Sequence, residues 1–231
     1  MKQFYFLLIA LCAGATVSNA QFKKGDVLFG PSINIGSTTQ SNDYLNNGTV
    51  TAGKQSNFSF GIGLSAIKMK TAKVGWGLGL GYGFSNNKTT NLQYYPDSKV
   101  TNNNVSLSVF RRQYFPIGAK WNIYYDAGLT GSYGFGKTQY TAVSSSNPDS
   151  KSNNYFGTVY VAPGISYSIG KKLLLDARLT NLVALTYQNN KTKQEYTTGT
   201  LNQSNSSFGF NSTLSSGNFL NSVAFSLMWV L

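Results

Sequence analysis

Between Val74 and Phe84 the chain reads V-G-W-G-L-G-L-G-Y-G-F, with a bulky residue at every even position and glycine at every odd one. A two-residue period belongs to an extended strand, whose successive side chains leave opposite faces. A helix is excluded, because each interior glycine would cost it roughly 1 kcal/mol. The segment is therefore a strand with one crowded face and one nearly empty face. The regular spacing, with no helical pattern after it, also separates this series from a phosphate-binding glycine loop.

The same period recurs along the chain. Phe58, Phe60, Ile62, Leu64 and Ala66 alternate with Ser59, Gly61, Gly63 and Ser65. Further alternating faces run over 27–36, 105–110, 121–135, 159–169, 173–179 and 223–231. With 58–66 and 74–84 these make eight strands. Pro31 and Pro163 fall inside the pattern, each removing a ladder donor, and predict local breaks or bulges. The connections also alternate. Three are tight turns (67–73, 115–120 and 170–172). Four are long and rich in Asn, Ser, Thr and Lys, at roughly 37–56, 86–104, 137–154 and 188–221. Short and long connections at opposite ends describe an up-and-down meander whose ends face different surroundings. Phe208 and Phe210 in the last long connection keep a ten-strand alternative open.

Which face meets water decides the class of barrel. A soluble barrel or sandwich turns its apolar face to the core and carries charged residues outside. Here the second face is Gly, Ser, Asn and Thr with hardly any charge, which suits a cramped interior and not a wet exterior. The apolar face is also graded. Trp76, Trp121 and Trp229 lie beside the short turns, Phe58, Phe60, Tyr82, Phe84, Tyr133, Phe135 and Tyr187 lie near the long connections, and aliphatic residues fill the middle. Two aromatic belts around an aliphatic band match the two interfaces of a bilayer. The expected fold class is thus all-β, a transmembrane antiparallel up-and-down β-barrel of eight strands.

The start of the chain reads as an export signal. Lys2 is followed by an apolar run from Phe4 to Ala13 and a small-x-small site at Ser18-Asn19-Ala20. The division is then a signal peptide over 1–20 and a barrel domain over 21–231. Cys12 is preceded by Leu11, where a lipidated cysteine would follow a small residue, so cleavage after Ala20 is the better reading. The mature chain would carry 18 basic and 7 acidic residues and no cysteine.

Composition narrows the chemistry. The 231 residues include one Cys and no His. That removes histidine-dependent nucleophilic triads, imidazole metal sites and any internal disulfide framework. No cofactor or metal and no enzymatic activity is expected. Asn-x-Ser/Thr triplets such as Asn47-Gly48-Thr49 and Asn87-Lys88-Thr89 are what Asn- and Thr-rich loops contain by chance. The sharper signal is charge inside the strands. Arg112, Asp126, Asp176 and Arg178 all occupy the small-residue parity within a few residues of a short turn. They are expected at one level of the interior, as a structural plug holding the barrel's shape or, alternatively, as a gate or selectivity ring. The net charge of +12 resolves into dispersed lysines. Lys23, Lys24, Lys68, Lys70, Lys73, Lys120, Lys171 and Lys172 flank the short-turn end. Lys54, Lys88, Lys99, Lys137, Lys151, Lys191 and Lys193 lie in the long connections. Their dispersal in an exported chain speaks against nucleic acid and for anionic lipid headgroups, including lipopolysaccharide phosphates.

At this level the chain resembles the small outer-membrane β-barrel proteins, the OmpX and OmpA-barrel group and its porin-like relatives. The resemblance covers 21–231. It rests on the export signal, the eight alternating segments, Y-V-A-P-G-I-S-Y-S-I-G-K-K-L (160–173) and the closing V-A-F-S-L-M-W-V-L (223–231). Such families usually end in an aromatic residue, whereas this chain ends in Leu231 with Trp229 on the same face. The resemblance implies a monomer in the cell outer membrane. Its role would be structural or a surface interaction with an extracellular ligand or protein through the long loops. A porin-like channel for small solutes is the alternative.

Overall fold

A computed structural model describes residues 22–46, 49–90, 96–141, 148–170, 172–179, 182–196, 199–212 and 223–231. The expected signal peptide and Lys171 lie outside these residues. Among the described residues ten strands occur, in the order β1 (Val27–Asn46), β2 (Thr49–Met69), β3 (Val74–Thr90), β4 (Ser98–Ile117), β5 (Trp121–Tyr140), β6 (Asp149–Ser168), β7 (Leu173–Leu179), β8 (Val183–Tyr196), β9 (Gly199–Ser212) and β10 (Val223–Val230).

Every described pairing is antiparallel. β1 through β6 pair consecutively, β6 pairs with β7, β7 with β10, and β10 returns to β1, which closes a ring of eight strands. β8 continues the wall beyond β7, pairing with the distal half of β6, and β9 pairs with β8. The eight alternating segments are the eight staves of the ring. The ten-strand alternative corresponds to the β8–β9 hairpin, which extends the wall without enlarging the ring.

The long connections differ from the sequence reading. Much of 37–56, 86–104, 137–154 and 188–221 is strand, so that β2 runs for 21 residues. At ~3.3 Å per residue that is about 70 Å, against the 9–11 residues a tilted strand needs to cross a bilayer. Backbone ladders carry these polar halves. They have no apolar alternation because neither of their faces is apolar.

Both prolines interrupt a ladder. On β6 the pairing with β7 begins at Gly164 and the pairing with β8 ends at Val161, with the register displaced by two residues between them. Pro163 sits in that gap, where its missing N–H leaves nothing to pair. On β1 the recorded register with β10 passes from Phe29↔Trp229 to Ser32↔Ser226 without a slip. There Gly30 lies so close to the Leu227 carbonyl that a Cβ would collide with it.

The large residues point outward. Leu78, Leu80 and Leu129 are about 60% exposed, at 58%, 61% and 60%, while the glycines and serines line the bore. Short turns follow β2, β4 and β6, and Gly118 takes a positive φ of 68° in the second of them. The buried core is not central but gathered at the short-turn end, around Leu28, Ile67, Met69, Tyr114, Leu174 and Met228.

Candidate functional site: the floor of the barrel

Strand alternation decides what enters the bore. On β4, β5 and β7 the even residues point inward, which places Arg112, Asp126, Asp176 and Arg178 inside at the short-turn end. The structure brings all four together. Arg112 holds Asp126 with two parallel bonds, Nε to Oδ1 at 2.7 Å and Nη2 to Oδ2 at 2.9 Å. Its Nη1 donates to Asp176 Oδ2 at 2.6 Å. Arg178 Nη1 donates to Asp126 Oδ2 at 3.1 Å. Two cations and two carboxylates thus form one neutral network, as burial of charge requires. Arg112, Asp126 and Asp176 are buried and Arg178 is 30% exposed, so a guanidinium and not a carboxylate faces the open bore.

Aromatic rings complete the floor. The Tyr124 ring lies 3.8 Å from the Arg112 guanidinium carbon, with Phe110 and Tyr114 at 5.8 and 5.6 Å. These rings offer their negative faces to a buried cation. Arg112 Nη1 also donates to the Tyr114 hydroxyl at 3.3 Å. Phe22 packs on Tyr114 at 4.7 Å and Tyr114 on Tyr124 at 5.5 Å. None of these four aromatics was singled out from sequence. For three of them the signal was present: Phe110, Tyr114 and Tyr124 break the small-residue parity with bulk beside a short turn.

Above the floor lies a cavity of about 740 Å³, lined by hydroxyls and amides such as Ser106, Thr130, Asn34 and Asn154. Arg112 and Arg178 are the charged groups in its lining. Below the floor a second hollow, of about 660 Å³, opens between Phe22, Lys120, Lys172 and Leu174. The two share no lining residue. Buried Leu28, Ile67, Met69, Tyr114, Asp126, Asp176 and Met228 line neither of them. The upper bore is emptier than a lumen filled by its own side chains, because its wall is Gly, Ser and Asn. The floor places buried charge and aromatic bulk between the two cavities. Both Asp126 oxygens and Asp176 Oδ2 accept from guanidinium donors, while buried Asp176 Oδ1 has no hydrogen-bond partner among the described residues.

The three tryptophans lie elsewhere, on the outer surface beside the short turns. Trp76, Trp121 and Trp229 are 52%, 46% and 42% exposed. Trp121 packs on Tyr167 at 4.6 Å between ring centres, and Trp229 sits opposite Phe29 on one side and Leu173 on the other.

No protein-family description matches the chain, and no curated protein matches it. Among solved structures it is similar to the outer membrane protein OprG from Pseudomonas aeruginosa, at 13% identity and a TM-score of 0.48, covering 92% of this chain and 99% of that one. It is also similar to a major outer membrane protein from Thermus thermophilus, at 11% identity and a TM-score of 0.49, covering 89% and 99%. The barrel itself rests on the strand pairing described above.

Proposed function

We propose that the chain is a non-enzymatic, monomeric, integral barrel of the outer membrane. It is exported with residues 1–20 removed and inserted with its short turns on the periplasmic side. Its role is structural and in surface interaction, exercised by the long polar strand halves and their connections outside the cell. The observation that carries this reading is the stoppered bore: an apolar exterior fit for lipid encloses two cavities that share no lining residue, with buried side chains between them. A protein built mainly to conduct would not close its bore with three ion pairs and a layer of aromatic rings. The absence of histidine from the sequence supports the non-enzymatic reading.

Two measurements on the expressed protein test the placement. The barrel is expected to stay with membranes through a carbonate wash. A cysteine introduced at exposed Gln203 of β9 is expected to react with an impermeant maleimide on intact cells. Release by carbonate would make it a soluble ligand-binding barrel, and labelling only after lysis would reverse the orientation.

The second reading is a narrow path for small solutes. The cavity above the floor favours it, since its polar lining reaches down to Arg112 and Arg178 of the network. In that case the arginine–aspartate network is a gate.

A further inference from the structure

The seven lysines of the polar halves share one orientation. Lys54, Lys88, Lys99, Lys137, Lys151, Lys191 and Lys193 are all exposed and all on the outward parity of their strands, while Ser, Thr and Asn fill the inward one. A lumen that selected ions would carry its charge inside. Here the charge is on the outer wall, beyond the aromatic belt.

Register places five of these lysines side by side. Lys88 on β3 is directly opposite Lys99 on β4. Lys137 on β5 is directly opposite Lys151 on β6, and Lys151 is directly opposite Lys193 on β8. Lys99 and Lys137 are diagonal neighbours, since Lys99 faces Gln139. Like charges directly opposite one another destabilise a strand pair. Three such pairs in one arc call for an anion that the protein does not supply in full. Glu195 is shared by Lys151 and Lys193, at 3.2 and 3.3 Å, which leaves that group positive. Lys88, Lys99 and Lys137 have no ion pair with a described residue.

The height of the arc selects the anion. Lys137 is two residues past Phe135 on β5, and Lys151 four past Tyr155 on β6; both aromatics are exposed on the outer wall. At ~3.3 Å per residue and a tilt near ~40°, Lys137 and Lys151 stand about 5 to 10 Å above the aromatic belt, and Lys193, six residues past Tyr187 on β8, about 15 Å above it. A bilayer's headgroup layer is about 5 to 8 Å thick. Five adjacent strands at ~4.8 Å spacing give the arc a width of about 19 Å, wider than one phosphate.

We propose that Lys88, Lys99, Lys137, Lys151 and Lys193 form a docking site for the phosphates of a multiply phosphorylated glycolipid headgroup in the outer leaflet. The site rests on the membrane placement proposed above and names the lipid partner's contacts. Each lysine pair is bridged by phosphate oxygens, so lipid binding removes the repulsion between the strands that carry the pair.

The test uses full-length barrel refolded in detergent and titrated with purified lipopolysaccharide, read by the temperature at which the folded band is lost on a gel. Wild type is expected to be stabilised by bisphosphorylated lipopolysaccharide and not by its dephosphorylated form, with the effect falling about tenfold in apparent affinity as salt is raised. K88Q/K99Q/K137Q/K151Q is expected to lose at least tenfold in apparent affinity, and the matching Lys→Arg variant to keep it. Should the quadruple variant fail to refold, K88Q/K99Q alone is expected to lose about threefold. A short-turn control, K68Q/K73Q/K120Q, is expected to bind as wild type does. Equal binding by the wild type and the Lys→Gln variants, or salt-insensitive binding, overturns the site. Equal stabilisation by inorganic phosphate alone overturns the lipid as its occupant. Carbonate resistance of the same variants reports separately on the membrane placement, so failure of one is distinguishable from failure of the other.

Discussion

Arg112 on β4 and Asp176 on β7 meet across the bore at 2.6 Å, although 64 residues and two intervening strands of the ring separate them. Because Arg112 also grips Asp126 on adjacent β5, the bond ties opposite walls of the barrel through its floor. Each partner is inside for one reason, the parity of its strand. Each offsets the charge of the others.

Removing Asp126 is expected to be the most damaging single change at the floor. It takes two bonds from Arg112 and one from Arg178, leaving Arg112 buried with Asp176 alone. Breaking a buried ion pair from one side costs about 3–5 kcal/mol. Asp126→Ala should lower the stability measured by urea unfolding in lipid by that amount. R112M/D126L/D176L, which removes the three buried charges together and leaves only the partly exposed Arg178, should cost much less. Equal losses for the two would mean that the network matters by packing and not by charge.

Two glycines separate close approach from mere small size. A Cβ at Gly30 would meet the Leu227 carbonyl and the Met228 Cα of β10, backbone atoms that cannot turn aside. Gly30→Ala is expected to destabilise the ring at its β1–β10 closure by about 1–3 kcal/mol. Gly131 has nothing within 4 Å of that position. Gly131→Ala should fall within about 0.5 kcal/mol of wild type in the same unfolding measurement.

The outer wall is expected to sense depth. Leu80 lies in the middle of the apolar band and Trp76 at its edge beside a short turn, both on the outside of β3. Arginine at the bilayer midplane costs about 2–4 kcal/mol and near the interface about 0–1. Leu80→Arg should therefore cost several times more than Trp76→Arg in folding from urea into lipid vesicles. Equal and small costs would place both residues in water.

Glu195 lies on the polar half of β8, beyond the apolar band. Hydrogen bonds from Lys151 first, and then Lys193, hold its carboxyl below the usual carboxylate range. A depressed carboxylate contributes its stabilisation fully above its unfolded value, ~4.3, and loses it as pH falls through the lower folded value. The Glu195 carboxyl resonance should titrate below pH ~4.3 in wild type and move upward in Lys151→Gln. An unchanged titration in that variant would remove Lys151 as the cause.

The sequence was most legible where the two faces of a strand differ. Val74–Phe84 could be nothing but a two-faced strand, and the parity of Arg112, Asp126, Asp176 and Arg178 already placed them in one interior layer. It was least legible where the faces are alike. Residues 37–41 and 101–104 have polar side chains on both sides, so backbone pairing left no hydrophobic period to read. β9 was hidden in the same way, with Leu201, Phe208 and Phe210 as its sparse apolar marks. Tyr114 and Tyr124 were legible as interior residues. Their stacking about Arg112 depends on the register of β4 against β5, which sets Tyr114 opposite Tyr124 and Arg112 opposite Asp126.

The closed floor is the central claim, and planar-bilayer recording on refolded protein tests it most directly. Wild type should show no steady ohmic conductance, while Arg112→Ser with Tyr114→Ala, which removes the guanidinium and a ring above Phe22, should open stable steps. Steady conductance in wild type, unchanged by that double substitution, would contradict a stoppered bore.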